Sequence, residues 1–279
     1  MFVSLPDQLL TTFFCALHLL GSRFNKRIVV AFRGSSTAND WLMNLSAQLT
    51  EMKTPATLRG RLTGKLNQHV KVHRGFYEYL FDNEEQRGNQ VYDKIRDDIK
   101  PFVEEGYAIY VTGHSLGAAL GSVLAFKLAG MDEAWVHKPV SCVSLASPFA
   151  GGSGFRKAFC QLKRDGALRH LRITNSRDSV PSMVPFAPSI FHAGRYFHVG
   201  INLNFNDRGD YKISYPRKTN SAARTLRSAL IFKPLWSVLK YHDISLHDER
   251  LNLYRDELSN TTINGLYNDE GVVGRGFKR

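Results

Sequence analysis

The run Tyr107-Ala-Ile-Tyr-Val-Thr-Gly-His-Ser-Leu-Gly-Ala-Ala-Leu-Gly-Ser-Val-Leu-Ala125 constrains the fold more than any other stretch. Its first part is apolar and β-type; it breaks at Gly113 and restarts after Gly117 as a helix of small residues. A Gly-x-Ser-x-Gly in that setting places Ser115 on a strained turn. The hydroxyl then projects from the sheet edge, and the next amide sits at a helix N-terminus. Glycines flank the serine because a Cβ at either position would clash in so tight a turn. The bare pentapeptide is weak evidence. The strand before it and the helix after it carry the reading.

At 279 residues, 43% of them hydrophobic, the chain is long enough for a large core, and one domain is expected. We expect residues 27–260 to form it, with an N-terminal helix or weakly signal-like segment at 1–26 and a flexible polar tail at 261–279. The longest apolar run, Leu9 to Leu20, contains two threonines and a histidine and is too short to span a bilayer. As a signal-peptide core it lacks a preceding Lys or Arg and follows Asp7. A signal would make the protein secreted. Cys15, Cys142 and Cys160 lean the other way, to an intracellular setting, since they form neither a disulfide framework nor a zinc spacing. The net charge of +12 is uneven: residues 140–279 hold 21 Lys/Arg against 11 Asp/Glu. Such a face either solubilises the protein or draws it to the periphery of an anionic lipid surface. No helix-turn-helix, zinc-finger or aromatic ribonucleoprotein signature is present, so nucleic acid is not an expected partner.

Along the chain, strands are expected at Arg27–Phe32, from Val70 toward Phe76, before Gly113, at Val140–Ala146 and at Leu168–Thr174. Helices are expected at Tyr77 to Val103, after the elbow, and at Phe155 to Leu162, with a polar linker at Thr50 to Gln68 and a loop at Pro148 to Gly154. This alternation implies a mostly parallel central sheet with right-handed crossovers. Asn202 to Tyr215 reads as an antiparallel excursion, and Ala222 to Tyr241 as a basic amphipathic helix broken near Pro234. Trp41, Leu42, Met43 and Leu45 form an apolar cluster after Asn39-Asp40 that reads either as a lid over an apolar groove or as core.

A serine hydroxyl is a poor nucleophile at neutral pH. It needs an imidazole to take its proton and a carboxylate to hold that imidazole in one tautomer. On a fold with this elbow the chain order is Ser, then Asp or Glu, then His. Asp178 lies just past the Leu168–Thr174 strand, where the acid belongs, although Asp-Ser-Val-Pro also suits a plain capping turn. Two histidines follow, His242 and His247, and the residues alone do not separate them. His198 reads as structural. No metal or cofactor is implied.

These motifs resemble those of the class 3, fungal-type lipases of the α/β-hydrolase superfamily. The matching stretches are Val29-Val-Ala-Phe-Arg-Gly-Ser-Ser36 with Asp40-Trp41, Val72-His-Arg-Gly-Phe76, Thr112-Gly-His-Ser-Leu-Gly117, Asn175 to Pro181, and Phe197-His-Val-Gly200, in family order. The resemblance implies an α/β-hydrolase fold, a mostly parallel sheet with helices on both faces, and cleavage of glycerolipid esters through an acyl-serine. It favours His242 over His247 by the register of Ile244 and Leu251, with His247 in an aromatic slot. It also implies an oxyanion hole from Ser35 and the Leu116 amide, a lid at Trp41, Leu42 and Met43, and no catalytic role for His114. The family's usual Arg, Val and Gly after Ala146-Ser-Pro148 are replaced by Phe149-Ala-Gly-Gly-Ser, little precedes the Arg27 strand, and the family's secreted-type disulfides have no counterpart here. The competing reading is a catalytically silent, lipid-binding or protein-interaction module on the same fold.

Overall fold

The computed structural model describes residues 2–4, 17–22, 25–34, 48–59, 70–81, 91–182, 196–208, 210–215 and 240–260. Strands β1 (Phe2–Ser4), β2 (Leu17–Ser22), β3 (Arg27–Phe32), β6 (Ala108–His114), β7 (Val140–Leu145), β9 (Leu168–Asn175), β11 (Ile201–Phe205) and β12 (Tyr211–Ser214) build an eight-stranded sheet. Its order is β1-β2-β3-β6-β7-β9-β11-β12. The five inner strands β3, β6, β7, β9 and β11 run parallel, and the antiparallel pairs lie at the two ends. β4 (Leu49–Met52), β5 (Val70–His73), β8 (Gly151–Gly152) and β10 (Tyr196–Phe197) form a separate antiparallel sheet in the order β10-β8-β5-β4.

Both faces of the large sheet are covered, as the alternation of side chains along each strand requires. One face carries Ile109, Val111, Val140, Cys142 and Leu168 into the main core, with Phe126, Phe155 and Phe159. The helix α3 (Leu116–Ala129) packs there on β3, β6 and β7, with every residue except Lys127 buried. Its glycines and alanines let the backbone lie close: a Cβ on Gly121 would stand 3.3 Å from Val111 Cγ1. The opposite face carries Val143, Leu145, Leu171 and Ile173 against Leu251 of α5 (Ile244–Leu253), Tyr254 and Leu258 of α6 (Arg255–Ser259). The remaining helices are α1 (Arg74–Phe81), α2 (Val91–Glu104) and α4 (Ser153–Arg164).

Several elements differ from the sequence expectation. Residues 17–22, the end of the run read as helix or signal core, form a strand on the free edge of β3. A short apolar run fits either state, and an unpaired edge of backbone donors and acceptors settles it. The Val70 strand stops at His73 and a helix starts at Arg74; the linker at 50–68 contains most of β4 and a 3-10 turn at Ala56–Leu58. The loop after Pro148 contains β8, which bridges β5 and β10. The excursion from Asn202 is a hairpin, but its first strand also pairs parallel to β9 and so extends the central sheet. Residues 5–16, 35–47, 216–239 and 261–279, which include Ser35, the Trp41-Leu42-Met43 cluster, most of the basic helix and the tail, lie outside the described residues. Among the described residues no helix is long and apolar enough to cross a membrane.

Candidate active site

The carboxyl ends of the parallel strands are in step: Phe32 pairs with Gly113, Gly113 with Ser144, and Leu145 with Ile173. Loops leaving that edge converge, which is where open α/β sheets build sites. Ser115 follows β6 with φ 58° and ψ −125°, a left-handed conformation that a side-chain-bearing residue adopts at a cost of about 1–3 kcal/mol. The flanking glycines make the turn possible. A Cβ on Gly113 would stand 2.5 Å from the Gly117 carbonyl group, and one on Gly117 2.4 Å from the Phe32 carbonyl oxygen. The Ser115 amide donates to the Leu145 carbonyl at 2.9 Å, tying the elbow to β7. Leu116 opens α3, so its amide has no carbonyl one turn back within the helix and points at the helix N-terminus.

Asp178 is held by the turn after β9, where its Oδ1 accepts the Val180 amide at 2.9 Å. Its Oδ2 lies 2.9 Å from His242 Nδ1, and its side chain has no exposed surface. His242 Nε2 lies 2.8 Å from Ser115 Oγ. Ser115, His242 and Asp178 therefore form one continuous hydrogen-bonded chain, brought together from the end of β6, the turn after β9 and the segment before α5.

His247 is fully buried but turned elsewhere. Its Nδ1–H donates to the Asp243 carbonyl at 3.0 Å, and the Asn175 amide approaches its ring nitrogens at 3.2 Å. Burial pushes its pKa down. Asn175, the last residue of β9, also donates to the Tyr241 carbonyl at 3.0 Å and accepts from Arg250 Nη1 at 2.6 Å. His198 Nε2–H donates to the Pro181 carbonyl at 2.6 Å and its ring stacks on Phe149 at 3.8 Å, so the departure at 149 supplies a packing partner. Sequence reasoning placed His114 beside the nucleophile without a catalytic role and named Asn175 only as the start of a matching motif, so neither was expected to hold the segment of His242. His114 donates from Nε2–H to the His242 carbonyl at 2.7 Å, with the two rings 4.6 Å apart. Among the described residues no group of three or more His, Cys, Asp or Glu is placed to hold a metal ion.

Two buried histidines make the fold acid-sensitive. Burial, and then the neighbouring His242, lowers the His114 pKa to about 3; burial, and then Arg172, lowers that of His170 to about 3. Above about pH 6.5 both rings are neutral whether the chain is folded or not, and their burial costs nothing extra. As the pH falls from there toward 3, the unfolded chain takes up protons that the folded chain refuses, so stability drops. Each histidine contributes up to about 1.4 kcal/mol per pH unit. The free energy of unfolding in urea is expected to fall by about 2 kcal/mol between pH 6 and pH 5. A flat profile over that interval would mean that these rings are charged in the folded protein.

A family model described as Lipase (class 3) matches residues 29–187. That span holds Ser115 and Asp178 but stops short of His242. The chain is 32% identical over 180 residues to phospholipase A1-II 6 of Oryza sativa subsp. japonica, a match that covers 58% of this chain and 41% of that one. It is likewise 32% identical over 170 residues to the chloroplastic galactolipase DONGLE of Arabidopsis thaliana, covering 57% and 34%. The chain thus spans about two fifths of the length of the curated relatives it matches. Among solved structures it resembles the Rhizomucor miehei triacylglyceride lipase with a TM-score of 0.56 and 21% identity, over 84% of this chain and 78% of that one. At that identity the likeness shows the α/β-hydrolase fold.

Proposed function

Because the chain belongs to the class 3 lipase family, we propose that it hydrolyses carboxylic esters of glycerolipids through an acyl-serine intermediate. The observation that carries this reading is the unbroken relay from Ser115 Oγ through His242 to Asp178, at 2.8 and 2.9 Å. Ser115 Oγ attacks the ester carbonyl carbon while His242 Nε2 takes its proton, and Asp178 accepts the Nδ1–H bond of the imidazolium that forms. The carbonyl oxygen becomes an oxyanion. The Leu116 amide and Ser35 stabilise it, each such donor being worth roughly 3 kcal/mol. Collapse expels the glycerolipid alcohol, which takes the proton from His242. Water then attacks the acyl-serine by the same route, with His242 again as base, and releases the fatty acid.

Similarity to phospholipase A1 and galactolipase relatives supports lipids with polar head groups, and the fungal likeness supports acylglycerols of the triacylglycerol and diacylglycerol type. The excess of 10 positive charges in residues 140–279, 21 basic against 11 acidic, supports peripheral contact with anionic lipid. Trp41, Leu42 and Met43 are proposed as the lid that opens there.

The test is a substrate panel. Phosphatidylcholine, a galactolipid, triacylglycerol and short-chain p-nitrophenyl esters are presented to the protein, the lipids in vesicles or emulsions with and without anionic lipid. Fatty acid release from at least one glycerolipid is expected. It should increase with anionic lipid at low salt, and Trp41→Ser should reduce it more than it reduces turnover of the soluble esters. Turnover of p-nitrophenyl esters alone would overturn the glycerolipid assignment, and equal loss on both substrate types in Trp41→Ser would make that residue core.

A further inference from the structure

His242 reaches the site on a short segment between residues that lie outside the described chain and α5, so something must fix its position to within a fraction of an ångström. The two carbonyls that flank its own peptide links are each held by a side chain from a different strand end. The Tyr241 carbonyl accepts from Asn175 Nδ2 at 3.0 Å, and the His242 carbonyl accepts from His114 Nε2–H at 2.7 Å. Asn175 is itself anchored by the buried Arg250 at 2.6 Å. His114 sits between three parts of the site. It directly precedes Ser115, its ring lies 4.6 Å from that of His242, and the Gly34 backbone runs alongside it. A Cβ on Gly34 would stand 3.1 Å from the His114 carbonyl oxygen and 3.4 Å from its Nδ1.

We propose that His114 is a positioning residue that, with Asn175, clamps the backbone on both sides of His242 and couples the imidazole to the nucleophile elbow and to the Gly34 loop. The inference rests on His242 acting as the base. The clamp uses only the neutral ring, in which Nε2 carries the proton and Nδ1 the lone pair. A charged ring so close would oppose the imidazolium that His242 becomes during turnover. Burial keeps His114 neutral throughout the range in which such chemistry runs. The adjacent histidine thus contributes without touching substrate or exchanging a proton.

The experiment compares His114→Gln, whose side-chain amide reaches about as far as the imidazole Nε2, with His114→Asn, which is one methylene shorter, and His114→Leu, which has no donor. Turnover of a soluble p-nitrophenyl ester and the rate of fluorophosphonate labelling are measured on each, beside His242→Ala as control. Near-wild-type kcat and labelling are expected for the Gln variant. The Asn and Leu variants should lose about 10- to 100-fold in both, with KM within about twofold. Equal rates in all three, or equal losses in all three, would overturn the clamp. If His114→Leu does not fold, the Gln and Asn variants carry the same comparison. Failure of the underlying reading is distinguishable, because His242→Ala would then label at the wild-type rate.

Discussion

Ser115→Ala is expected to abolish labelling by a fluorophosphonate and to lower kcat by about 10⁵-fold or more, leaving only what binding and the oxyanion donors supply. The fold should tolerate the change. Alanine at φ 58° is no more strained than serine, and among the described residues the Oγ makes a single hydrogen bond, to His242 at 2.8 Å. Loss of that bond costs about 1 kcal/mol, so circular dichroism should be unchanged and the melting temperature should move by only a few degrees. Two other described hydroxyls are engaged elsewhere. Ser144 and Ser147 are buried nearby, but Ser144 Oγ is bound to His170 at 2.8 Å and Ser147 Oγ donates to the Pro148 carbonyl. Persistent labelling of the alanine variant would place the nucleophile elsewhere.

His242→Ala is expected to lower kcat by about 10⁴-fold or more, and His247→Ala by less than about tenfold. The two residues lie five positions apart in sequence, yet only one faces the serine. Removing His242 breaks the relay and leaves the fully buried Asp178 carboxylate with the Val180 amide as its remaining partner among the described residues. Removing His247 opens a cavity behind the relay, frees the Asp243 carbonyl and leaves the Asn175 amide nitrogen with only its bond to the Tyr241 carbonyl among the described residues. That loss acts through stability, by about 2–4 kcal/mol. Kinetics at 25 °C and urea denaturation on both variants separate the two effects. A larger loss of kcat in His247→Ala than in His242→Ala would reverse the assignment of the base.

The parts of this protein that are legible in its sequence are those fixed by sterics and hydrogen bonding over a few residues. The elbow is one: Gly113 and Gly117 are needed because backbone atoms stand 2.4–2.5 Å from where their Cβ atoms would be, a demand that any reader of Gly-x-Ser-x-Gly between a strand and a helix can infer. The parallel strands are another, since their apolar runs and intervening helices repeat along the chain. Asp178 belongs here too, because a turn directly after a strand places its side chain at the sheet's carboxyl edge. What the sequence left open depends on partners far away in the chain. The end of the N-terminal run, from Leu17, fits helix or strand alike, and the unpaired edge of β3 decides for strand there. The small sheet joins residues 49–52, 70–73, 151–152 and 196–197, and β8 in its middle is two glycines with no propensity of their own. His242 and His247 are equivalent locally; register within a family favours the first, and only the tertiary structure gives each its neighbours. His242 meets Asp178 across 64 residues and Ser115 across 127, and His247 is turned away toward Asn175 across 72. Short-range forces specify which residues turn, cap and pair, but the position of an imidazole between two strand ends is set by the packing of those ends, and that packing exists only once the whole sheet has formed.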